Sequence, residues 1–198
     1  MKAWKRRSPS GKRRISPATA SVLLLAAIAV AGAAAAPFRL DKDVVDDTTV
    51  VSASQLAKQA DCIAVGRFSD SDRMVLTDRT APQGRLVNFV QPFTVERMLK
   101  CPSSSTVRII TTGIEPLPPP SQTEANERYP GAWASGPDYL IFLKKLEGQD
   151  GYQVLGLLKG VYPIQAGKTV SLERQGFPEL NGVSKENLES VVKGLEGR

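Results

Sequence analysis

The chain opens on a segment that cannot belong to a folded core, so the fold must be built from the residues beyond it. Lys2, Lys5, Arg6, Arg7, Lys12, Arg13 and Arg14 all precede Ser21 without a single acid among them, and an apolar run of small residues then extends to Ala36. Taking those seven away from the 26 lysines and arginines leaves 19 bases against 20 acids. The remainder is therefore close to neutral. A nucleic-acid footprint would lie on the folded domain, so the basic balance of the whole chain gives no reason to expect that partner.

Residues 1–35 read as a signal peptide: a basic head, an apolar centre from Ser21 to Val30, and small residues that offer A-x-A cleavage sites. Cleavage is expected after Ala35, because Pro37 would stand at the new N-terminus if the cut came one residue later. The alternative is retention as a membrane anchor, since the apolar stretch almost reaches the ~18 residues that a span requires. Much of it is alanine and glycine, which gain little from lipid. A twin-arginine signal is weakened by Ser16-Pro17 directly after Arg13-Arg14-Ile15. The expected location is the periplasm or the cell exterior, with membrane contact only if the segment is kept.

Residues 36–51, with Asp41, Asp43, Asp46 and Asp47, read as a solvated, extended lead-in. Residues 52–198 read as one domain. No 20–50-residue repeat is present. Ser52-Ala53-Ser54-Gln55 fits a capping box, which predicts a short helix over 53–59. Apolar, β-branched runs predict strands at 62–68, 86–99, 107–111, 139–143, 152–158, 161–165 and 169–172. Pro92 cannot donate to a ladder, so the second run should be an edge or bulged there. Near the end, Ser184 is a candidate N-cap, Val183 and Leu188 a hydrophobic staple, and Leu188, Val191, Val192 and Leu195 one helical face. The expected class is mainly β: a small barrel with a short N-terminal and a C-terminal helix.

Two cysteines in an exported chain raise the question of a disulfide. If strands 62–68 and 93–101 pair antiparallel with Cys62 facing Cys101, the same register sets Arg67 opposite Glu96, Val65 opposite Met98 and Phe68 opposite Val95. One charge pair and two apolar pairs are what a real register should give. Unpaired thiols are the alternative reading. The chain has no histidine, so a Cys-His nucleophile is impossible and a zinc site lacks its usual ligands.

No catalytic residue, metal ligand or cofactor is assigned. Nucleotide-binding and G-x-S-x-G motifs are absent. Asp70, Ser71, Asp72 and Asp78 lack the spacing of a calcium loop and read as a solvated polar loop. A carboxylate hydrolase of an envelope polymer has only Glu96, Asp138 and Glu173 available. The most suggestive segment is the proline-rich loop 113–137, which carries Tyr129 and Trp133. Those two aromatics either bind a partner or fold back to cap the barrel.

The succession of residues 56–66, then Phe93-Thr94-Val95-Glu96-Arg97-Met98-Leu99-Lys100, then Gly136-Pro137-Asp138-Tyr139-Leu140-Ile141-Phe142-Leu143, then Gly151-Tyr152-Gln153-Val154 resembles a group of exported bacterial proteins of unknown function. The resemblance spans residues 54–172. It implies a barrel similar to the oligonucleotide/oligosaccharide-binding fold, as in tissue inhibitors of metalloproteinases and netrin modules. Cys101 stands where the group usually has glycine, which supports a disulfide particular to this chain. The inhibitors act through an N-terminal cysteine, and a chain beginning near Ala36-Pro37-Phe38 has none. The leading expectation is a non-catalytic exported module that binds a protein or cell-envelope component. A tethered envelope scaffold and the carboxylate hydrolase are the alternatives.

Overall fold

The computed structural model describes residues 36–46, 48–70, 73–101, 103–172 and 175–197. The signal segment expected at 1–35 lies outside them, as do Asp47, Ser71, Asp72 and Glu173. The elements run α1 (Ala53–Gln59), β1 (Cys62–Phe68), β2 (Arg73–Ala81), β3 (Gly84–Lys100), β4 (Thr106–Glu115), α2 (Thr123–Arg128), β5 (Asp138–Lys145), β6 (Tyr152–Val154), β7 (Val161–Gln165), β8 (Lys168–Thr169) and α3 (Leu188–Glu196). Strands β1, β3, β4, β6 and β5 pair in that order, and β5 returns to β1, closing a five-stranded barrel. All neighbours in the ring are antiparallel except β4 and β6. The protein is mainly β.

Burial on both faces explains why β1 is legible as an unbroken apolar run. Cys62, Ala64 and Phe68 point into the barrel with Phe93, Ile109, Ile141 and Leu143. Ile63 and Val65 point the other way, into a second core with Leu140, Phe142, Tyr162 and the apolar faces of α1 and α3. Leu188, Val192 and Leu195 of α3 are buried there, and Ser54 of α1 donates to the Leu195 carbonyl at 2.7 Å. Gly66 is required on this strand, because a Cβ there would lie 2.1 Å from the Thr94 carbonyl oxygen.

The long β3 serves two partners in turn. Its first half pairs with β2, from Ala81↔Gly84 to Arg73↔Val90, and its second half with β1, starting at Phe68↔Phe93. Pro92 sits at the changeover. Its carbonyl accepts from Ser69 N–H at 2.9 Å, and a strand residue turns its N–H and C=O to the same side, so the missing donor faces the changeover and the ladder to β4 on the other side runs on unbroken.

Several expectations are corrected. The disulfide forms, with Cα atoms 4.9 Å apart, and Ile63↔Lys100 keeps the expected register beside it. Two bulges then shift the pairing to Ala64↔Met98, Val65↔Arg97, Gly66↔Val95, Arg67↔Thr94 and Phe68↔Phe93. Arg67 therefore does not face Glu96, nor Val65 Met98, nor Phe68 Val95. The loop expected around Asp78 is strand β2, an exposed ribbon with Met74 and Leu76 on its surface.

The lead-in is not solvated: Val44, Val45 and Val50 are buried against the barrel. Asn88 Nδ2 holds it by donating to the carbonyls of Leu40 and Asp43, and Thr112 Oγ1 accepts from Val45 N–H. In α1 the Ser52 hydroxyl caps Gln55 as expected, while the Gln55 side chain reaches Val51 N–H rather than that of Ser52. Helix α3 starts late, with Asn187 rather than Ser184 at its N-cap. Ser184 instead bridges to Lys168. Strand β6 stops at Val154, because Gly156 turns the chain at φ +72° into a 3₁₀ turn over Leu157–Gly160.

Candidate functional site

The proline-rich loop is anchored at both ends and in its middle. Helix α2 interrupts it, burying Ala125, a turn that the sequence reading did not expect among so many prolines. Gly131, at φ +71°, donates to the Thr112 carbonyl at 3.0 Å and brings the chain back onto β4. Trp133 then lies across one end of the barrel. Its ring stacks on Phe68 at 6.1 Å between centroids, and its indole N–H donates to Thr111 Oγ1 at 3.2 Å. The Gln91 side chain bonds both the N–H and the C=O of Trp133. Beside it the Tyr139 hydroxyl donates to the Ala134 carbonyl.

One side of the loop stays open. Leu117, Pro118, Pro120, Pro130, Trp133 and Leu158 are among the residues lining a groove of about 450 Å³. Leu117 is 77 % exposed, although an apolar side chain of that size gains by leaving water. Prolines on either side hold its backbone rigid, which lowers the entropy lost when something binds.

Tyr129 does not share that groove. It packs with Val44, Leu86, Ile114 and Ala125, and the Arg128 guanidinium lies 5.4 Å from its ring centre. The two aromatics singled out in the sequence therefore part company: Trp133 caps the barrel and also lines the groove, while Tyr129 closes a small core beside the lead-in. Leu117 and Leu158 were missed by the sequence reading. The signal for Leu117 was a lone large apolar residue inside a proline run.

The acids available for hydrolysis behave differently. Glu96 and Asp138 do converge, but on a cation: Lys185 Nζ bridges both carboxylates, and Arg67 binds Asp138 through Nε and Nη2 at 3.2 and 2.7 Å. Partial burial pushes the Asp138 carboxyl up, and the hydrogen bonds from Lys185 and Arg67 more than offset it, leaving Asp138 below the ordinary carboxylate range. Its bonds to Glu96 above all hold Lys185 above the usual lysine range. A general acid needs a carboxyl raised toward neutrality, and Asp138 is moved the opposite way. Asp70 accepts from the Ser135 hydroxyl and Asp78 lies on β2. Among the described residues no cluster of three or more cysteines and acids is placed to hold a metal.

Comparison with known protein families and with curated proteins finds no match to this chain.

Proposed function

We propose that this protein is an exported, non-catalytic binding module, a small barrel that engages a protein or cell-envelope component through the groove beside Trp133. The observation that carries the reading is Leu117, held out in water by a stiff proline frame next to the half-buried Trp133. Aromatic and large apolar anchors in a shaped groove, ringed by contacts that add little energy but keep water out, are how binding surfaces concentrate their affinity. Export is supported by the basic and apolar head of the chain and by the disulfide, which persists outside the reducing cytoplasm. Among the described residues no helix is long and apolar enough to cross a membrane.

The order of the ring also supports an oligonucleotide/oligosaccharide-binding-like barrel. Numbering only the five barrel strands along the chain gives the circuit first, second, third, fifth, fourth, first, with the third and fifth parallel. Fold alone does not set the ligand. The test is Leu117→Asp, which should leave the thermal transition unchanged while weakening retention of the protein on cell-envelope material by about tenfold or more, the loss of a hot-spot anchor. Equal retention of both proteins would refute the groove.

A further inference from the structure

Three sulfur atoms meet at the barrel end of β1. Met98 Sδ lies 3.6 Å from Cys101 Sγ and 3.9 Å from Cys62 Sγ. Met98 is there because of a bulge. In an unbroken register it would pair with Val65, whose side chain looks toward the helices. Leu99 is the extra residue between Ile63↔Lys100 and Ala64↔Met98, and it turns Met98 onto the face of Cys62 and Ala64. Leu99 itself packs against the helix-side core, and Met98 against the barrel interior. Re-aiming a side chain is what bulges beside functional sites commonly do.

The spacing of these atoms is that of a ligand set. Sulfurs bound at about 2.3 Å in a trigonal plane around one metal lie about 4 Å from each other, and both Met98 distances already approach that value. Two thiolates and a thioether are soft donors, which exclude magnesium and calcium. A set of only three with a thioether among them suits a cuprous ion better than zinc, which takes four ligands drawn from cysteine, histidine and carboxylate. The absence of histidine, which argued against zinc, is no obstacle to such an ion. Met98 and Cys101 also line an open groove of about 410 Å³, so an ion can approach from that side while Cys62 stays buried beneath.

We propose that the reduced protein binds one cuprous ion between Cys62, Cys101 and Met98, and that the disulfide is the closed state of that site. Opening it takes an external dithiol. Two electrons and two protons pass to the Cys62–Cys101 bond, which becomes two thiols, and the reductant leaves as its own disulfide. Each cysteine then releases its proton to solvent as its sulfur binds the ion, and copper stays cuprous throughout.

The experiment is an anaerobic titration of the purified protein, reduced by a dithiol that is then removed, with Cu(I) held by a chromogenic chelator. The reduced protein should withdraw one equivalent, the oxidised protein none, and an equal concentration of Zn(II) should not compete. Met98→Leu should keep both cysteines and lose about tenfold or more in Cu(I) affinity, because a ligand is gone and losing even a partner behind a ligand costs that much. Copper-edge absorption of the wild-type complex gives a readout that does not depend on the variant folding, and it should find three sulfur neighbours. Equal affinity with leucine at position 98, two sulfur neighbours only, or a reduced protein that binds no copper would each overturn the proposal.

Discussion

Gln91 and Trp133 form a two-way clasp: the Trp133 N–H donates to Gln91 Oε1 at 2.7 Å, and Gln91 Nε2 donates to the Trp133 carbonyl at 3.0 Å. Gln91 is only 3 % exposed, so this buried amide is satisfied by a loop more than forty residues further along the chain. A long proline-rich loop is thereby fixed across the end of the barrel, and its remaining open side becomes a defined groove.

Gln91→Ala removes both bonds and leaves the Trp133 backbone short of partners. The cost should be about 1–3 kcal/mol. Amide exchange should accelerate over residues 129–137 while α1 and α3 keep their protection, as expected for a local opening. Unchanged exchange in the loop would mean that stacking on Phe68 alone holds it.

The disulfide closes a loop with a sequence separation of 39. Replacing Cys62 or Cys101 by serine should lower stability by about 4 kcal/mol in the chain-entropy picture. The double variant should cost much the same as either single one, because the same bond is lost in each case. Denaturant midpoints for the three variants decide this, and additive losses would contradict it.

Tyr162 gives the barrel a limit at high pH. Burial pushes its phenol from 10.0 up to about 12, despite the hydrogen bond it accepts from Phe177 N–H. Because the folded value is raised, the contribution to stability is fully present below pH 10 and is lost as pH rises through about 12, where the unfolded chain has already given up its proton. The loss should be on the order of 2–3 kcal/mol. Denaturation curves recorded up to that pH should show it, and Tyr162→Phe should flatten the decline. A variant curve parallel to the wild type would assign the alkaline loss elsewhere.

How much the sequence made legible depends on how local each cause is. Strand β1 and helix α1 were readable to the residue, because a strand buried on both faces and a serine cap leave their marks within a few positions. The pairing of Cys62 with Cys101 was readable because a chain with two thiols admits a single internal bond. The register beyond it was not. The extra residues Leu99 and Glu96 look like any others in a strand, so nothing in the sequence announces the two bulges they make.

Strand β2 escaped notice because it packs on one side only, so Arg73, Asp78 and Arg79 outweigh its few apolar residues. The lead-in was misread for a related reason. Asp41 and Asp46 are exposed, while Val44 is buried with Leu86 and Ile114 and Val45 with Val90 and Ile110, residues too distant in sequence to announce the contact. The candidate site was half legible: Trp133 and the proline run were visible, but Gln91, which holds the Trp133 backbone, and Leu158, which lines the groove, come from other elements.

The claim that the groove beside Trp133 is a binding surface is tested most directly by placing a photo-activatable amino acid at position 117 and, in a second protein, at position 193 on the exposed face of α3. Irradiated in intact cells, the first should give a discrete adduct with one envelope component, and the second should give none. Adducts from both positions alike, or from neither, would contradict the account.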